Sequence, residues 1–295
     1  MAIAKSNGID IEYETFGNLS DKAILLIAGL GIQLIVWDSR FCQKLADNGY
    51  YVVRFDNRDI GLSTKCNGMS MQEIMQKMFA LFVGKAETVP YSLDDMADDT
   101  AGLLDFLNIN KAHVCGMSMG GFIAQTFAVK HPDRILSLIS IYSHPGENRA
   151  FQPTKEAMEA MLAPAPVERD GYIEHMTKFF RLAYGNGLPF DQEFHRNLAA
   201  NSYDRSFYQD GIARQYLAIL TQKDRTPYLK NMKVPALVIH GDDDPLVPLS
   251  GGEATAGAIP VAELKIIKGM GHAMPSPNAW WEEISDTILR HIGNV

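Results

Sequence analysis

The sequence predicts an α/β protein, with a mainly parallel β-sheet covered by helices and an all-helical insertion within the chain. Short, continuous apolar runs alternate with helical patterns along most of the sequence. This alternation is typical of parallel strands buried on both faces. It stops between His144 and about Pro235, where only helical spacing is visible. These two observations define the predicted fold class before any motif is considered.

The predicted strands are of two kinds. Residues 9–13 alternate apolar with acidic side chains, which is the period-two pattern of a strand with one solvent-facing side. The other strands are short, mainly apolar runs at 23–28, 51–55, 113–115, 135–141, 236–239 and 264–267. Helical patterns lie between them, most clearly at 93–107, 120–130 and 280–291.

Residues 144–235 are predicted to form helices over one end of the sheet. Met158, Met161 and Leu162 recur at helical spacing, and prolines punctuate the segment. We interpret 144–235 as a lid, or cap, inserted into a core domain made of 1–143 and 236–295. The alternative is that these helices complete the core, because stripes of Met and aromatic residues usually mean burial.

Composition excludes several other classes of protein. The chain has 295 residues, a net charge of −8 and no internal repeat. Its apolar stretches fall far short of the ~20 residues of a membrane-spanning helix, and its acidic balance argues against a nucleic-acid partner. The first ten residues lack the apolar core of a secretory signal, and the three cysteines lack metal-like spacing. We therefore expect reduced thiols and a cytoplasmic protein.

The motif that carries chemistry lies between a predicted strand and a predicted helix. Residues 116–120 read G-M-S-M-G and match G-x-S-x-G. A serine at such a sharp turn needs a strained backbone that brings the residues two before and two after it together, so glycine is required at both positions. Ser118 is the predicted nucleophile, and an ordinary glycine-rich turn is the alternative.

A serine hydroxyl needs a base to remove its proton, and the base needs an acid to orient it. Where this motif occurs, the order along the chain is Ser, then the acid, then His. His272 is the predicted base because it follows a strand in a glycine-rich loop, where catalytic residues of parallel sheets gather. The competing histidines in this half of the chain are His195 in the insertion, His240 at the end of an apolar run and His291 on the terminal helix.

The acid is expected in the loop that follows the apolar run at 236–239. Asp242, Asp243 and Asp244 are adjacent there and compete for the role. A solvated Asp-rich turn is the alternative interpretation of this loop.

These motifs together resemble the α/β-hydrolase superfamily over nearly the whole chain. The acid loop matches the family pattern G-x-x-D-x-x-V-P at Gly241, Asp244, Val247 and Pro248, and the resemblance selects Asp244 as the acid. It also implies a mostly parallel, eight-stranded sheet flanked by helices. Hydrolysis by Ser118, His272 and Asp244 requires no metal or organic cofactor.

The loop at 56–63 extends the resemblance. It reads D-N-R-D-I-G-L-S against the family's D-x-R-G-x-G-x-S, with Asp59 in place of the usual first glycine. The D-N-R-D-x-G form is similar to the aclacinomycin methylesterase branch, which cleaves a methyl ester from a polyketide. We interpret Asp56 and Arg58 as turn and ion-pair residues rather than substrate contacts.

The resemblance also implies an oxyanion hole. Residues 28–31, A-G-L-G, stand where family members often carry H-G-x-G, and the backbone N–H of Leu30 is the implied donor. The second donor is the N–H of Met119, which follows the nucleophile. Met119 opens a helix, and the dipole of that helix favours a developing negative charge.

The predicted function is cleavage of carboxylic esters, of small to medium apolar character, through an acyl-enzyme. The partner is a small-molecule ester, with no nucleic acid or membrane, and a homodimer stays open. A lactonase and a cofactor-free haloperoxidase or perhydrolase are alternatives, since residues 116–121 are also similar to the latter branch. A ligand-binding receptor on the same fold is the non-enzyme alternative. Relatives with an aspartate nucleophile are disfavoured, because this chain has Ser118 there.

Overall fold

The computed structural model of the chain describes residues 2–67, 69–85, 87–146, 151–272 and 276–295. The strands in these ranges are β1 (Ala2–Ser6), β2 (Ile9–Phe16), β3 (Lys22–Ile27), β4 (Tyr50–Phe55), β5 (Ala112–Met117), β6 (Ile135–Ile141), β7 (Ala236–Gly241) and β8 (Ala262–Ile267). They form one sheet in the order β1-β2-β4-β3-β5-β6-β7-β8. The pairs β1–β2 and β2–β4 are antiparallel and all later pairs are parallel. The predicted mostly parallel, eight-stranded sheet is therefore confirmed.

Helices cover both faces of this sheet and fill the interval between β6 and β7. The helices of the core are α1 (Ser39–Asp47), α2 (Met71–Phe82), α3 (Leu93–Phe106), α4 (Met119–Lys130), α10 (Leu249–Ala258) and α11 (Ala279–Gly293). Those between β6 and β7 are α5 (Lys155–Leu162), α6 (Arg169–Ala183), α7 (Gln192–Arg205), α8 (Gln209–Leu220) and α9 (Thr226–Leu229).

The central strands are mainly apolar because each contributes to two separate cores. In β3, Leu25 and Ile27 pack on the side of α3 and α4, whereas Ile24 and Leu26 pack on the side of α1 and α11. Side chains alternate across a strand, so a strand buried on both faces cannot show alternation in its polarity. The mainly apolar runs of β3 to β7 are the direct consequence. The expectation that the run at 264–267 is also buried on both faces is wrong, because β8 is an edge strand in which only Ile267 is buried.

Strand β1 has no counterpart among the apolar runs. It is a short edge strand of five residues with an exposed Lys5, and only Ala4 and Ser6 are buried. Its pairing with β2 therefore depends on backbone hydrogen bonds and leaves little apolar pattern to detect.

The helices between β6 and β7 pack in two ways. Ala218 of α8 and Leu229 of α9 are buried in the core formed with α3 and α4. Helices α6 and α7 instead share a small cluster of their own around Ile173, Phe180 and Ala199. Part of this segment thus completes the core, and its division from the core as a lid at 144–235 stays a prediction. Residues 147–150 of the segment lie outside the described residues.

Two further features bear on the sequence predictions. All three cysteines are free thiols, and Cys42 and Cys115 are buried. Across the described ranges, no helix is both long enough and apolar enough to cross a bilayer.

Candidate active site

Ser118 occupies a strained turn between β5 and α4. Its φ of 54° and ψ of −122° lie in a region that residues with a side chain rarely adopt. A Cβ atom on Gly116 would lie 2.0 Å from the carbonyl oxygen of Gly120, and one on Gly120 would lie 2.2 Å from that of Ile27. Glycine is therefore required on both sides of Ser118, as the motif predicts.

The structure brings Ser118, His272 and Asp244 into one hydrogen-bonded chain. His272 Nε2 lies 2.8 Å from Ser118 Oγ, and His272 Nδ1 lies 2.7 Å from Asp244 Oδ2. The three side chains come from the loops after β5, β7 and β8, so the parallel sheet places them at its carboxyl edge. With an ionised carboxylate, Nδ1 donates to Asp244 and Nε2 is left to accept from the serine hydroxyl.

The environment of Asp244 favours its ionised form. Its side chain is 0% exposed, whereas that of His272 is 9% exposed. Burial acts to raise the pKa of this carboxyl, but the charge of His272 and the hydrogen bonds from His240 and His272 outweigh it, so the pKa lies below its usual value. The N–H groups of Leu246 and Val247 also donate to Oδ1, at 2.8 and 2.9 Å. The carboxylate is thus held in one orientation.

His240, which the sequence offers only as a competing base, lies beside the acid loop. It is buried, its Nε2 lies 2.9 Å from the carbonyl oxygen of Val247 and 3.5 Å from Asp244 Oδ2. Its hydrogen bond to Val247 therefore helps to fix the loop that carries Asp244. The other competing histidines are elsewhere, His195 among the aromatic rings of the α6–α7 region and His291 on α11.

Tyr142 is a neighbour of His272 that the sequence did not indicate. Its ring centroid lies 4.6 Å from that of His272, and its hydroxyl lies 3.2 Å from Met117 Sδ. The residue follows β6, which pairs directly with the nucleophile strand β5. A position just after an apolar run beside the nucleophile strand was the only signal available in the sequence.

The predicted oxyanion donors lie beside the nucleophile turn. A Cβ atom on Gly29 would lie 3.2 Å from Ser118 Cβ, so the loop after β3 passes directly against the serine. Asn57 Nδ2 donates to the Ala28 carbonyl oxygen at 3.0 Å and fixes the start of that loop. Among the described residues, neither the N–H of Leu30 nor that of Met119 has a hydrogen-bond partner. Both remain available as donors.

The loop at 56–63 has the structural role predicted for it. Asp56 Oδ1 accepts from the Leu34 N–H and Oδ2 from the Leu62 N–H, both at 2.8 Å, and Arg205 pairs with Oδ2 at 2.6 Å. Arg58 forms a two-point ion pair with Asp99, with both distances at 2.6 Å. These are the contacts predicted for turn and ion-pair residues, and the absence of a substrate contact at Asp56 and Arg58 stays a prediction.

The contacts of Asp59 account for its presence where the family pattern has glycine. Its φ of 71° lies in the left-handed region, which favours the glycine that the family usually carries there. In this chain the Asp59 carboxylate pairs with Arg214 of α8, with distances of 2.9 and 3.1 Å, and both side chains are buried. The aspartate therefore links the loop after β4 to the helices between β6 and β7.

Within the part of the chain that the structure describes, no group of three or more His, Cys, Asp or Glu side chains could hold a metal ion.

A Ser–His–Asp chain at the carboxyl edge of a mostly parallel sheet, with the serine on a strained strand-to-helix turn, defines the class of α/β serine hydrolases. The chain belongs to the alpha/beta hydrolase fold family, whose sequence profile matches residues 22–278.

Known relatives agree with this assignment. The chain is 29% identical to rhodomycin D methylesterase DnrP of Streptomyces peucetius, over 94% of this chain and 93% of that protein. It is 25% identical to 3-oxoadipate enol-lactonase 2 of Acinetobacter baylyi, over 88% and 85% of the two chains. The solved structure of a thermophilic esterase from Thermogutta terrifontis superposes with a TM-score of 0.71 at 24% identity, over 99% of each chain. The predicted resemblance to a methylesterase branch is confirmed by the first of these relatives.

Proposed function

We propose that this protein is a serine hydrolase that cleaves carboxylic esters through an acyl-enzyme. The observation that carries the proposal is the continuous chain from Asp244 through His272 to Ser118, with the serine held at a strained turn. The likeness to a methylesterase over most of both chains supports an ester as the substrate.

Acylation follows from the positions of these atoms. As Ser118 Oγ attacks the ester carbonyl carbon, His272 Nε2 takes the hydroxyl proton. The carbonyl oxygen becomes negative and accepts hydrogen bonds from the N–H groups of Leu30 and Met119. The Asp244 carboxylate keeps Nδ1–H oriented and stabilises the imidazolium that forms.

Loss of the alcohol completes acylation, and deacylation then repeats the same steps with water as the nucleophile. His272 gives its proton to the leaving alkoxide oxygen as the C–O bond breaks, and the alcohol departs. A water molecule then loses a proton to His272 Nε2 and attacks the acyl carbonyl carbon. The second tetrahedral intermediate collapses with return of the proton to Ser118, which releases the carboxylic acid.

A lactone is the second candidate substrate, and the likeness to an enol-lactonase favours it. The chemistry is the same, except that the alcohol stays attached to the acyl part. The apolar character of the ester, a cytoplasmic location and a homodimer stay predictions.

Replacement of Ser118 by Ala tests the proposal. We expect the variant to lose about 10⁴-fold or more in kcat on nitrophenyl esters and on lactones, because the nucleophile is absent. Ser20→Ala, at an exposed serine of the β2–β3 turn, is the matched control and keeps wild-type activity. A fluorophosphonate probe should label wild-type protein and Ser20→Ala but not Ser118→Ala. An active Ser118→Ala variant would refute the proposal, and wild-type protein that resists the probe would favour a binding role.

A further inference from the structure

The three consecutive aspartates of the acid loop each hold a different group. Asp244 binds the imidazole of His272. Asp242 Oδ1 accepts from the N–H of Gly269, at 2.5 Å, in the loop that carries His272. Asp243 Oδ2 accepts from both the backbone N–H and the side-chain Nδ2 of Asn186, each at 2.8 Å. The third contact reaches the helical segment between β6 and β7, which the catalytic scheme does not use.

Asn186 lies in residues 183–187, which start at the last residue of α6 and lead toward α7; we call them the cap connector. The connector binds the base loop directly. The backbone N–H of His272 donates to the carbonyl oxygen of Ala183 at 2.6 Å, and that of Gly271 donates to Tyr184 at 2.9 Å. The backbone N–H of Asn186 also donates a hydrogen bond to the carbonyl oxygen of Gly269, at 3.1 Å. The main chain of the histidine is therefore fixed by the insertion and not by the sheet alone.

The contact between the two segments is backbone against backbone. Gly185 and Met270 form an antiparallel bridge. A Cβ atom on Gly185 would lie 2.4 Å from Gly269 O, and one on Gly271 would lie 2.0 Å from Ala183 O. The segments thus fit in a single register, and a shift of the connector would move the base loop with it.

We propose that the cap connector positions His272, and that Asn186 and Asp243 form the positioning pair that ties the connector to the acid loop. The pair touches neither the substrate nor the reacting atoms. It acts through His272, whose Nε2 must stay within hydrogen-bond distance of Ser118 Oγ. Because a displacement of about 1 Å can reduce turnover by up to about 100-fold, a modest loosening is measurable. This inference rests on the proposed roles of Ser118 and His272.

Substitutions of the pair test the inference. Asp243→Ala removes the acceptor of two hydrogen bonds, and we expect kcat to fall about tenfold with KM within about twofold, since the change affects the chemical step and not uniform binding. Asn186→Ala removes one of the two bonds and should give a smaller loss. Asp243→Asn keeps an amide oxygen for the backbone N–H of Asn186 and should restore most of kcat. The rate of fluorophosphonate labelling of Ser118 should follow kcat through the series.

The matched control is Asp204→Ala. Asp204 pairs with Arg169 at two distances of 2.6 Å, linking α6 to α7 on the exposed side of the same insertion. We expect this variant to lower Tm at least as much as Asp243→Ala while leaving kcat unchanged. A wild-type kcat in Asp243→Ala, or an equal loss of kcat in Asp204→Ala, would overturn the positioning role. If Asp243→Ala does not fold, Asn186→Ala and Asp204→Ala give the same comparison. Ser118→Ala, measured alongside, separates a failure of the catalytic assignment from a failure of this inference.

Discussion

A buried histidine outside the triad makes the stability of this protein depend on pH. His113 lies on β5, and its Nδ1 is 2.8 Å from Ser137 Oγ. Burial, with smaller effects from the charges of Lys22 and His291, lowers the pKa of His113 from 6.5 to about 4. The folded protein therefore keeps this imidazole neutral at pH values where the unfolded chain protonates it.

The sign of the effect follows from proton binding. Between about pH 4 and 6.5 the unfolded chain holds the proton and the folded chain does not, so stability falls as pH falls and is fully present only above about 6.5. The full shift corresponds to about 3 kcal/mol. We expect the urea midpoint of the wild type to fall between pH 7 and pH 4.5, and that of His113→Gln to fall less. If the urea midpoints of the two proteins fall equally with pH, His113 is not the source of the pH dependence.

Local pattern predicted some site residues and not others. Ser118 and His272 were predicted from their own surroundings, a strained-turn motif and a glycine-rich loop after a strand. Asp244 required the family resemblance, because Asp242 and Asp243 share the same local pattern. The structure separates the three through the burial of the Asp244 side chain and through partners in distant segments, His272 for Asp244, Gly269 for Asp242 and Asn186 for Asp243. The place of His240 beside the acid loop and that of Tyr142 beside His272 were missed for the same reason, since strand pairing alone brings them to the site.

At the scale of elements, apolar periodicity predicted the strands that are buried on both faces and failed where contacts are polar or backbone-only. Edge strand β1 carries little apolar pattern. Helix α8 has a helical pattern, but its attachment through Arg214 to Asp59 spans 155 positions in the chain and leaves no local trace. The packing of α8 against the core thus could not be predicted from sequence.

The Asp59–Arg214 pair provides an element-scale prediction. Asp59→Gly relieves a left-handed φ, which is favourable by on the order of 1 kcal/mol, but it leaves the buried Arg214 without its carboxylate. Because breaking a buried pair costs about 3 to 5 kcal/mol, we expect net destabilisation of Asp59→Gly. The double variant Asp59→Gly with Arg214→Met also removes the unpaired buried charge and should recover part of the lost stability. Urea unfolding of the wild type, Asp59→Gly, Arg214→Met and the double variant measures the coupling, and a stable Asp59→Gly single variant would contradict it.

At the scale of the whole molecule, the insertion is attached to loops of the sheet that build the active site. Ser118 precedes the insertion in the chain, whereas Asp244 and His272 follow it. The insertion is tied to the loop after β4 by Arg205 and Arg214, and to the base loop by the cap connector. An outward swing of all five helices would break buried ion pairs and displace the base. Any opening for substrate is therefore expected in part of the insertion only.

This arrangement predicts that the sheet and the insertion unfold together. All three tryptophans, Trp37, Trp280 and Trp281, are buried outside residues 144–235. Trp37 and Trp281 pack on Phe41 of α1, whereas Trp280 packs against Tyr184 of the insertion, so the fluorescence of a Trp280→Phe variant reports on the core. A fluorophore on a cysteine introduced at exposed Arg196 of α7, in a Cys66→Ser background, reports on the insertion. We expect the two urea transitions to coincide, because the buried pairs at Asp56 and Asp59 couple the two parts. Arg214→Met weakens that coupling and should shift the α7 transition to lower urea than the tryptophan transition. An earlier α7 transition already in the Arg214-containing protein would instead show that the insertion is an independently unfolding lid.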